Sequence, residues 1–501
     1  MAQHIGIIDL GSNTARMVIL QYQPHHSFKL VDEVKENVRL AHDVGDDNVL
    51  QDAPVQWAIE TLKMFAAHGR AMNVPTIVAV ATSAVRDASN QAAFLAQVHA
   101  ATGIELRVLS GEEEAYYGYL GVVNSLPLQD GFIFDIGGGS VELALVRGRG
   151  LVSSTSLPLG TVRLTERFIH NDPPSKSELK ALDKYLDAAL DQVDWFTVQG
   201  AMQLVGVGGT VRNLAKIDQR LMRYPIDKYH GYRIPLERVE DWAVRLSKMN
   251  RAERDRVEGL NSDRADVMVA GVLLIRKLMR RTGATSLWIS GQGLRDGLFY
   301  EHFLIGSTPP LITNLRLFAT ENLARLYDYH VVHAVKVRDL SLSLFDQLSG
   351  LHGYGAWERD ILSVAAILHD IGVAVNYYDH HKHGLYLILN AALSGFSHRE
   401  IALIGLLTRH HRKGSITDEG LGGLLEPGDL ERAAKLSALL RIAEYLERSK
   451  SQVIRAVRCQ IDKDLVRVVV DPIGDATVEI WDTNRRTGLF RKAYGIEIIV
   501  E

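Results

Sequence analysis

The sequence predicts two α/β domains built from one repeated unit, followed by an all-helical domain and a small C-terminal α/β domain. Two observations predict the repeat: the segment DLGSNT at residues 9–14 returns as DIGGGS at residues 135–140, and each copy lies between apolar, strand-like runs. A third, apolar residues spaced three and four apart after the break at residues 305–310, predicts the helices. We expect the four domains to span residues 1–126, 127–306, 307–450 and 451–501.

The composition is typical of a globular protein in a reducing compartment. Hydrophobic residues make up 47% and charged residues 23% of the 501 positions, and the formal net charge is -4. This charge gives no signal for nucleic acid or a membrane as partner, so any anion site must be a local basic cluster. The single cysteine, Cys459, excludes an intrachain disulfide, and the N-terminus enters a strand directly, unlike a signal peptide. We therefore expect a cytoplasmic protein.

The first domain alternates strands and helices. A hairpin at the N-terminus is followed by a predicted helix around residues 55–72 and a strand at residues 76–80. A second helix around residues 90–102 and a strand at residues 106–109 complete the pattern. This alternation predicts an α/β domain.

The later domains differ in their pattern of apolar and polar residues. Residues 128 to about 305 place strands near Phe132, Leu143, Leu204 and Leu287 between long polar helical stretches, which predicts a second α/β domain. Helical spacing then continues through Ala443. Three short runs after about Val453 predict strands, and they are residues 465–470, 478–480 and 496–500.

The two glycine loops predict a phosphate site that needs a cation. Glycines let the backbone approach a ligand and turn several N–H groups into one concavity, which suits phosphate oxygens. The aspartates at positions 9 and 135 cannot bind phosphate directly, so a divalent cation would bridge carboxylate and phosphate. One such turn is typical of an ordinary hairpin, but two copies favour function. A third loop, GVGGT at residues 206–210, leads from a strand into a helix start that attracts anions.

Arg86 and an acidic cluster add candidate chemistry. Arg86 follows the strand at residues 76–80, where its guanidinium either clamps a phosphate or forms an ion pair with Asp87 or a helix acid. The acids at residues 112–114 open a helix. They either complement the helix dipole or supply a general base that orients water for attack on phosphorus.

These motifs occur together with GLRDG at residues 293–297, and the set resembles the exopolyphosphatase / guanosine pentaphosphate phosphohydrolase family. That family lies in the superfamily of actin, sugar kinases and heat-shock ATPases, which implies two duplicated actin-like, ribonuclease H-like domains. The resemblance covers nearly the whole chain. Val141 stands where many members carry Thr, a small departure at a residue without an expected chemical role.

The resemblance implies a role for each matching residue. Glu114 matches the catalytic base, and Glu113 is the second candidate. Asp135 and Glu142 match the acidic pair that organises Mg²⁺, with Asp9 as a further contributor. Phosphates would be held by loop residues and the Arg86 clamp, and the implied set is Gly11, Ser12, Asn13, Arg86, Gly138, Gly139, Ser140, Gly208, Gly209 and Thr210. The sequence leaves open whether a monovalent cation is also required.

The helical domain is similar to the HD phosphohydrolase superfamily. His333, His369 and Asp370 could ligate a second divalent metal, and His383, His410 and His411 are further candidates. Glu444 stands where that superfamily usually supplies Asp, and its extra methylene displaces the oxygen in a site that tolerates roughly 0.2 Å. The alternative is a scaffold in which His369 is a hydrogen-bonded core histidine.

Basic residues of the helical domain have two interpretations. They could line the path of a long polyanion or form a solvated face. The set comprises Arg409, His411, Arg412, Lys413 and Arg441.

The leading hypothesis is an exopolyphosphatase that acts on inorganic polyphosphate with Mg²⁺. Guanosine pentaphosphate hydrolysis at the same site is the close alternative, and the sequence does not separate the two. Other hypotheses are a nucleotide-gated actin-like regulator, and a working HD-type hydrolase in the helical domain with a regulatory front half. The resemblance also implies a homodimer.

Overall fold

A computed structural model describes residues 2–41, 44, 47–198, 200 and 202–501. The chain divides into two compact units. The first comprises residues 1–223 and 228–313, and the second comprises residues 224–227 and 314–501. Within the described residues, none of the helices is long and apolar enough to cross a membrane.

The first unit contains eleven strands and eleven helices among the described residues. The strands are β1 (Gln3–Leu10), β2 (Ala15–Gln23), β3 (Ser27–Glu36), β4 (Thr76–Ala81), β5 (Leu106–Val108), β6 (Gly131–Ile136), β7 (Val141–Arg147), β8 (Gly150–Leu157), β9 (Gln203–Val207), β10 (Arg233–Pro235) and β11 (Ser286–Ile289). The helices are α1 (Asp52–Ala71), α2 (Ser83–Arg86), α3 (Gln91–Thr102), α4 (Gly111–Val123), α5 (Thr161–Phe168), α6 (Lys176–Leu190), α7 (Gly209–Leu221), α8 (Leu236–Lys248), α9 (Arg251–Arg254), α10 (Met268–Thr282) and α11 (Leu294–Phe303).

The strands form two sheets with one topology. The first sheet has the order β3-β2-β1-β4-β5, and the second has β10-β11-β9-β6-β7-β8. In both, an antiparallel three-stranded meander continues into parallel strands, β1 beside β4 and β6 beside β9. The second sheet adds the antiparallel edge strand β10. The repeat predicted from two loops therefore extends over two whole sheets.

The repeat also extends to the local register. The pairing of β2 with β3 shifts between Ile19 and Leu20, and the pairing of β7 with β8 shifts between Leu145 and Val146, which are 126 residues further along. A bulge inserts an extra residue and bends the strand. The register therefore shifts at equivalent positions of the two meanders.

The second unit is helical with a small three-stranded sheet. Its elements are α12 (Leu315–Leu326), α13 (Val331–Gln347), α14 (Ser349–His352), α15 (Ala356–Leu368), α16 (His380–Asn390), α17 (His398–His410), α18 (Asp429–Leu446), β12 (Ile454–Ile461), β13 (Leu465–Pro472), α19 (Thr477–Asn484), α20 (Gly488–Tyr494) and β14 (Glu497–Val500). The sheet order is β12-β13-β14. One continuous apolar core joins the helices to this sheet.

The predicted fold class is confirmed: a mixed α/β front half, a helical domain and a small C-terminal sheet with helices. One strand prediction is wrong, because residues 478–480 lie in α19. Three residues are too few to separate a strand period from a helical one, and packing decides here. Glu479 is buried, and its carboxylate accepts a hydrogen bond from the Ser449 backbone N–H at 3.0 Å.

Candidate active site

A cavity of about 360 Å³ in the first unit receives the loops that follow β1 and β6. Its wall is strongly polar, with six arginines and seven carboxylates among the described residues that line it. The arginines are Arg16, Arg39, Arg212, Arg251, Arg264 and Arg295, and the acids are Asp9, Glu114, Asp135, Glu142, Glu166, Asp263 and Asp266. Because the charges nearly cancel, an anion binds here only where the arginines are concentrated or where a cation joins it.

The two glycine loops have the same turn. The N–H of Gly11 donates to the carbonyl of Thr14 at 3.0 Å, and the N–H of Gly137 donates to the carbonyl of Ser140 at 3.0 Å. Each loop is also fastened by a following segment, because Ala41 donates to the Ser12 carbonyl and Thr161 donates to the Gly137 carbonyl. The sequence repeat therefore produces two rigid turns of one shape.

The loops approach each other closely. A Cβ added to Gly138 would lie 3.2 Å from Cβ of Ser12, and one added to Gly139 would lie 2.6 Å from Oγ of Ser83. Ser12 and Ser83 share a hydrogen bond of 3.0 Å between their hydroxyl groups. A side chain at either position would displace a serine of the facing segment, so glycine allows the loops to approach this closely.

The structure separates Glu114 from Glu113. Glu113 closes a capping box with Ser110: its carboxylate accepts the Ser110 N–H at 2.8 Å, and its own N–H donates to the Ser110 hydroxyl at 3.1 Å. Glu114 lies one residue further along α4 and lines the cavity. The second candidate for the base, Glu113, is therefore exposed and engaged as a helix cap.

Arg86 forms an ion pair with Glu114. Its Nη1 lies 2.9 Å from Oε2 of Glu114 and also donates to the carbonyl of Leu109 at 3.0 Å. A weaker contact of 3.8 Å joins Arg86 to Asp87. The predicted ion pair with a helix acid is therefore formed, and Arg86 is not among the described residues that line the cavity. Its role as a phosphate clamp stays a prediction.

Asp135 and Glu142 face each other across a hairpin. They are paired residues of the antiparallel strands β6 and β7, so two carboxylates lie directly opposite each other. Burial, followed by the charge of nearby Asp9, raises the pKa of Asp135 to about 6 against the opposing effect of Arg212. Burial and the Asp135 charge raise the pKa of Glu142 to about 7, although the Ser156 hydroxyl donates to it at 2.8 Å.

The equivalent pair in the first sheet is Asp9 and Arg16. These residues are also opposite each other, on β1 and β2, so arginine takes the position that glutamate has in the second sheet. Asp9 forms an ion pair with Arg295 of the GLRDG segment at 2.9 Å, whereas Arg16 forms one with Glu33 at 2.6 Å. The first copy of the repeat therefore has an arginine opposite its acid and another arginine bound to it, whereas the second copy has two acids opposite each other.

The third glycine loop contributes backbone and a neighbouring arginine. Gly208 has φ of 103°, a left-handed conformation that favours glycine, and is the N-cap residue directly before α7. A Cβ on Gly209 would lie 2.3 Å from Cζ of Arg264, so the guanidinium packs on bare backbone. Thr210 is fully buried and does not belong to the described lining.

Most of the residues predicted for this site come together in one cavity. The described lining includes Gly11, Ser12, Asn13, Gly138, Gly208, Gly209, Asp9, Asp135, Glu142 and Glu114. Gly139, Ser140, Thr210 and Arg86 are not part of it. The sequence does not predict the arginines that line the cavity, because they are far apart along the chain and only Arg295 lies in one of the quoted motifs.

The basic set of the helical domain is not one surface. His411 and Arg441 are buried, so these two do not line a path for a polyanion. The Arg441 guanidinium donates to the backbone carbonyls of His410 and Gly414 instead. Arg409 forms an ion pair with Glu419 at 3.4 Å.

Arg412 and Lys413 differ from these residues. Arg412 lies over the ring of Tyr377, with 5.7 Å from Cζ to the ring centroid. The side chain of Lys413 is 67% exposed.

The four residues predicted as a second metal site, His333, His369, Asp370 and Glu444, do converge in the second unit.

Comparisons with known proteins agree with this geometry. The Ppx/GppA phosphatase family matches residues 18–305, and domain III of the Ppx/GppA phosphatases matches residues 315–471. The solved structure of an Aquifex aeolicus Ppx/GppA family member is 29% identical, with a TM-score of 0.53, over 60% of this chain and 97% of that chain. An exopolyphosphatase from Cytophaga hutchinsonii is 26% identical, with a TM-score of 0.56, over 60% of this chain and 98% of that chain.

The family match covers the second sheet and the later strands of the first, and it begins after β1 and the DLGSNT loop. The second match spans most of the helical unit. A further structure, of the Aquifex aeolicus PPX-GPPA enzyme, is 30% identical with a TM-score of 0.53, over 60% of this chain and 99% of that chain. The chain belongs to the Ppx/GppA phosphatase family.

Proposed function

We propose that this phosphatase removes the terminal phosphate of inorganic polyphosphate by attack of water in the cavity of the first unit. The observation that carries the proposal is the convergence of Glu114 with two facing glycine loops and a group of arginines in one cavity. Phosphoryl transfer needs a positioned nucleophile and stabilisation of charge on the phosphoryl oxygens, and this arrangement can supply both.

Glu114 is suited to be the base. Burial, followed by the charge of Glu142, raises its pKa well above the usual range, and the Arg86 guanidinium partly offsets this. A carboxylate with a raised pKa takes a proton from water more readily near neutral pH. The ion pair with Arg86 also fixes the orientation of the carboxylate.

The arginines are suited to bind successive phosphates. Burial lowers the pKa of Arg16, and the neighbouring guanidinium groups of Arg295 and Arg212 lower it further. Burial and Arg212 act in the same way on the pKa of Arg264. Clustered, partly buried cations repel each other until an anion joins them, and a chain of phosphates provides one anion per unit.

The acids that face each other fit a magnesium ion. Asp135 and Glu142 are buried oxygen ligands opposite each other on adjacent strands, and burial together with a neighbouring carboxylate raises the pKa of each. Mg²⁺ is bound by one or two carboxylates together with waters and substrate phosphate, which matches this pair. When bound, the ion would neutralise charge on the phosphate that is transferred.

The chain's own residues would divide the remaining work. The backbone and hydroxyl groups of the two facing loops, at Ser12 and Gly138, would hold the terminal phosphate. Glu114 would accept the proton of the attacking water. The shortened polyphosphate would leave along the arginines.

The lining favours polyphosphate over guanosine pentaphosphate. Along the wall that the described residues form, no aromatic side chain is present to stack on a guanine ring. A chain of phosphates needs only cations and N–H donors, and both are abundant here. Guanosine pentaphosphate is therefore the second substrate to test.

The decisive experiment measures phosphate release, with Mg²⁺, from long polyphosphate and from guanosine pentaphosphate. Glu114→Gln keeps the size of the side chain and removes the base, so we expect polyphosphate hydrolysis to fall by about 100-fold or more. Glu112→Gln changes an exposed acid two residues earlier in the same helix and serves as the matched control. Removal of Mg²⁺ with a chelator should abolish the wild-type rate.

Three outcomes would contradict the proposal. Faster phosphate release from guanosine pentaphosphate than from polyphosphate would make guanosine pentaphosphate the preferred substrate. Phosphate release that survives in Glu114→Gln but not in His369→Ala would move the reaction to the helical unit. Nucleotide binding without any phosphate release would favour the hypothesis of a nucleotide-gated actin-like regulator.

A further inference from the structure

Six metal-binding side chains converge in the second unit, and the proposed function does not use them. They come from five helical segments: His333 from α13, His369 and Asp370 after α15, His380 from α16, His411 after α17, and Glu444 from α18. The four histidines and Glu444 are almost completely buried. The side chain of Asp370 is 15% exposed and is therefore the member nearest to solvent.

The first half of the cluster, formed by His333, His369 and Glu444, has the spacing of ligands around one ion. Nε2 of His333 lies 3.2 Å from Nε2 of His369. Oε2 of Glu444 lies 3.2 Å from the first of these nitrogens and 3.1 Å from the second. Ligand atoms at about 2.1 Å from a shared ion lie roughly 3.0–3.4 Å apart, so these three atoms surround one point. The extra methylene of Glu444 does not carry its oxygen out of the group.

The second half, formed by Asp370, His380 and His411, is slightly wider. Nε2 of His380 lies 3.2 Å from Nε2 of His411. Oδ1 of Asp370 lies 3.3 Å from the His380 nitrogen and 3.7 Å from the His411 nitrogen. The same carboxylate also faces the first half, at 3.7 Å from Nε2 of both His333 and His369. Asp370 is thus the one side chain shared by the two halves.

The hydrogen bonds of three rings direct lone pairs into the cluster. Nδ1 of His369, His380 and His411 lies 2.6, 2.8 and 2.7 Å from the backbone carbonyls of Ala366, Tyr377 and Thr408, respectively. A carbonyl oxygen can only accept, so each Nδ1 carries a hydrogen and each neutral ring has its lone pair on Nε2. This is the outer hydrogen bond that fixes metal-ligating histidines.

One close pair of ring nitrogens has no hydrogen of its own between its members. Because Nδ1 of each ring is held by a backbone carbonyl, the neutral rings of His380 and His411 direct their Nε2 lone pairs at each other across 3.2 Å. This contact is repulsive unless a cation lies between the two nitrogens.

We propose that this cluster binds two divalent transition-metal ions, one held by His333, His369, Glu444 and Asp370, and the other by Asp370, His380 and His411. Imidazole nitrogen with carboxylate oxygen favours ions such as Mn²⁺, Fe²⁺, Co²⁺ or Zn²⁺ over Mg²⁺. Two dications against two carboxylates leave a net positive centre, so the open coordination positions would take water or an anion.

The position of Lys450 agrees with a centre that is accessible from solvent. Its ammonium group lies 2.9 Å from Oδ2 of Asp370, and its side chain is 39% exposed. A flexible, exposed lysine supplies positive charge to the carboxylate in the metal-free protein and can withdraw when an ion binds.

The test measures bound metal in the full-length chain after chelation, incubation with Mn²⁺ or Zn²⁺, and removal of excess ion. Wild type should retain about two more ions per chain than Asp370→Asn, and His380→Gln or His411→Gln about one fewer than wild type. Metal bound in the cavity of the first unit is the same in all variants and cancels. His383→Ala, on the same helix as His380, is the matched control and should retain the full number.

Thermal unfolding provides the second measurement. The ions should raise the unfolding midpoint of wild type and His383→Ala but not that of Asp370→Asn, because ions that bind only the folded chain stabilise it. If folded wild type retains no more metal than Asp370→Asn, the proposal is overturned. The assignment of two ions is overturned if wild type retains only one more ion per chain than Asp370→Asn. It is also overturned if His380→Gln and His411→Gln retain as much metal as wild type.

Phosphate release from polyphosphate keeps this proposal distinguishable from the proposed function. Asp370→Asn should lose metal and retain hydrolysis in the first unit, whereas Glu114→Gln should lose hydrolysis and retain the metal.

Discussion

The charge of Glu114 depends on two neighbours that act in opposite directions. Burial and Glu142 raise the pKa of its carboxyl group, and Arg86 lowers it through an ion pair of 2.9 Å. Arg86 therefore increases the ionised fraction of the base near neutral pH. The sequence shows Arg86 at the end of a strand and Glu114 at the start of a helix, but not that the two meet.

We predict that Arg86→Met shifts the acidic limb of the pH profile. Removal of the guanidinium raises the pKa of Glu114 further, so a higher pH is needed to ionise the base and kcat/KM rises later as the pH increases. The pH dependence of kcat/KM for polyphosphate hydrolysis measures this directly.

Arg70→Met, at an exposed position of α1, is the control and should keep the wild-type profile. An acidic limb that stays in place or moves to lower pH in Arg86→Met would show that Arg86 does not control this carboxylate.

At the scale of elements, helix α4 is the part that delivers the base. Its N-terminus is fixed by the Ser110–Glu113 capping box. Its face packs against α11 through glycines: a Cβ on Gly121 would lie 2.3 Å from the carbonyl oxygen of Gly293, and one on Gly297 would lie 1.9 Å from that of Tyr117. The GLRDG segment therefore has a structural role in addition to Arg295, since only glycine permits this approach.

We predict that Ser110→Ala lowers both stability and turnover. Loss of the cap should cost about 1 kcal/mol and loosen the turn that carries Glu114. Ser175→Ala removes the equivalent capping box of α6, which contributes no residue to the described lining of the cavity. Denaturant unfolding should show similar losses for the two variants, and steady-state kinetics should show a lower kcat only for Ser110→Ala.

Equal kcat values in the two capping variants would mean that the first turn of α4 does not need to be rigid for catalysis. Unequal losses of stability with equal kcat would lead to the same conclusion.

At the scale of the whole molecule, the cavity is complete within the first unit. All of its described lining residues lie between positions 9 and 295. Two of the solved relatives match about 60% of this chain over 97% and 98% of their own lengths, so chains of that size fold without a counterpart of the remainder. The helical unit has its own apolar core and its own cluster of histidine and aspartate side chains that could hold a metal ion.

We predict that residues 1–313 alone fold and release phosphate from polyphosphate with Mg²⁺. Residues 224–227 belong to the second unit, and Ile226 is buried in its core, so the fragment needs Ile226→Ser to avoid exposing an apolar side chain. Circular dichroism would establish folding, and phosphate release would establish activity. A folded fragment without activity would show that the second unit supplies something essential to the reaction.

The sequence by itself determined what is local or repeated: the fold class, the three glycine loops and the acids beside them. These features follow from short-range backbone chemistry. A turn that requires glycine and a strand in which apolar and polar residues alternate can both be identified from a few consecutive residues. The repeat of 126 residues was visible in the same way, and the structure extends it to the sheet order and a shared bulge.

Only the tertiary structure decided which side chains meet. It made Glu113 a cap and left Glu114 in the cavity, paired Arg86 with that base, and gathered arginines from distant segments. It also moved His411 from a predicted basic surface into a buried cluster with His380 and Asp370. Contacts of this kind depend on packing between elements that are far apart in the chain, and neither periodicity nor residue type encodes them locally.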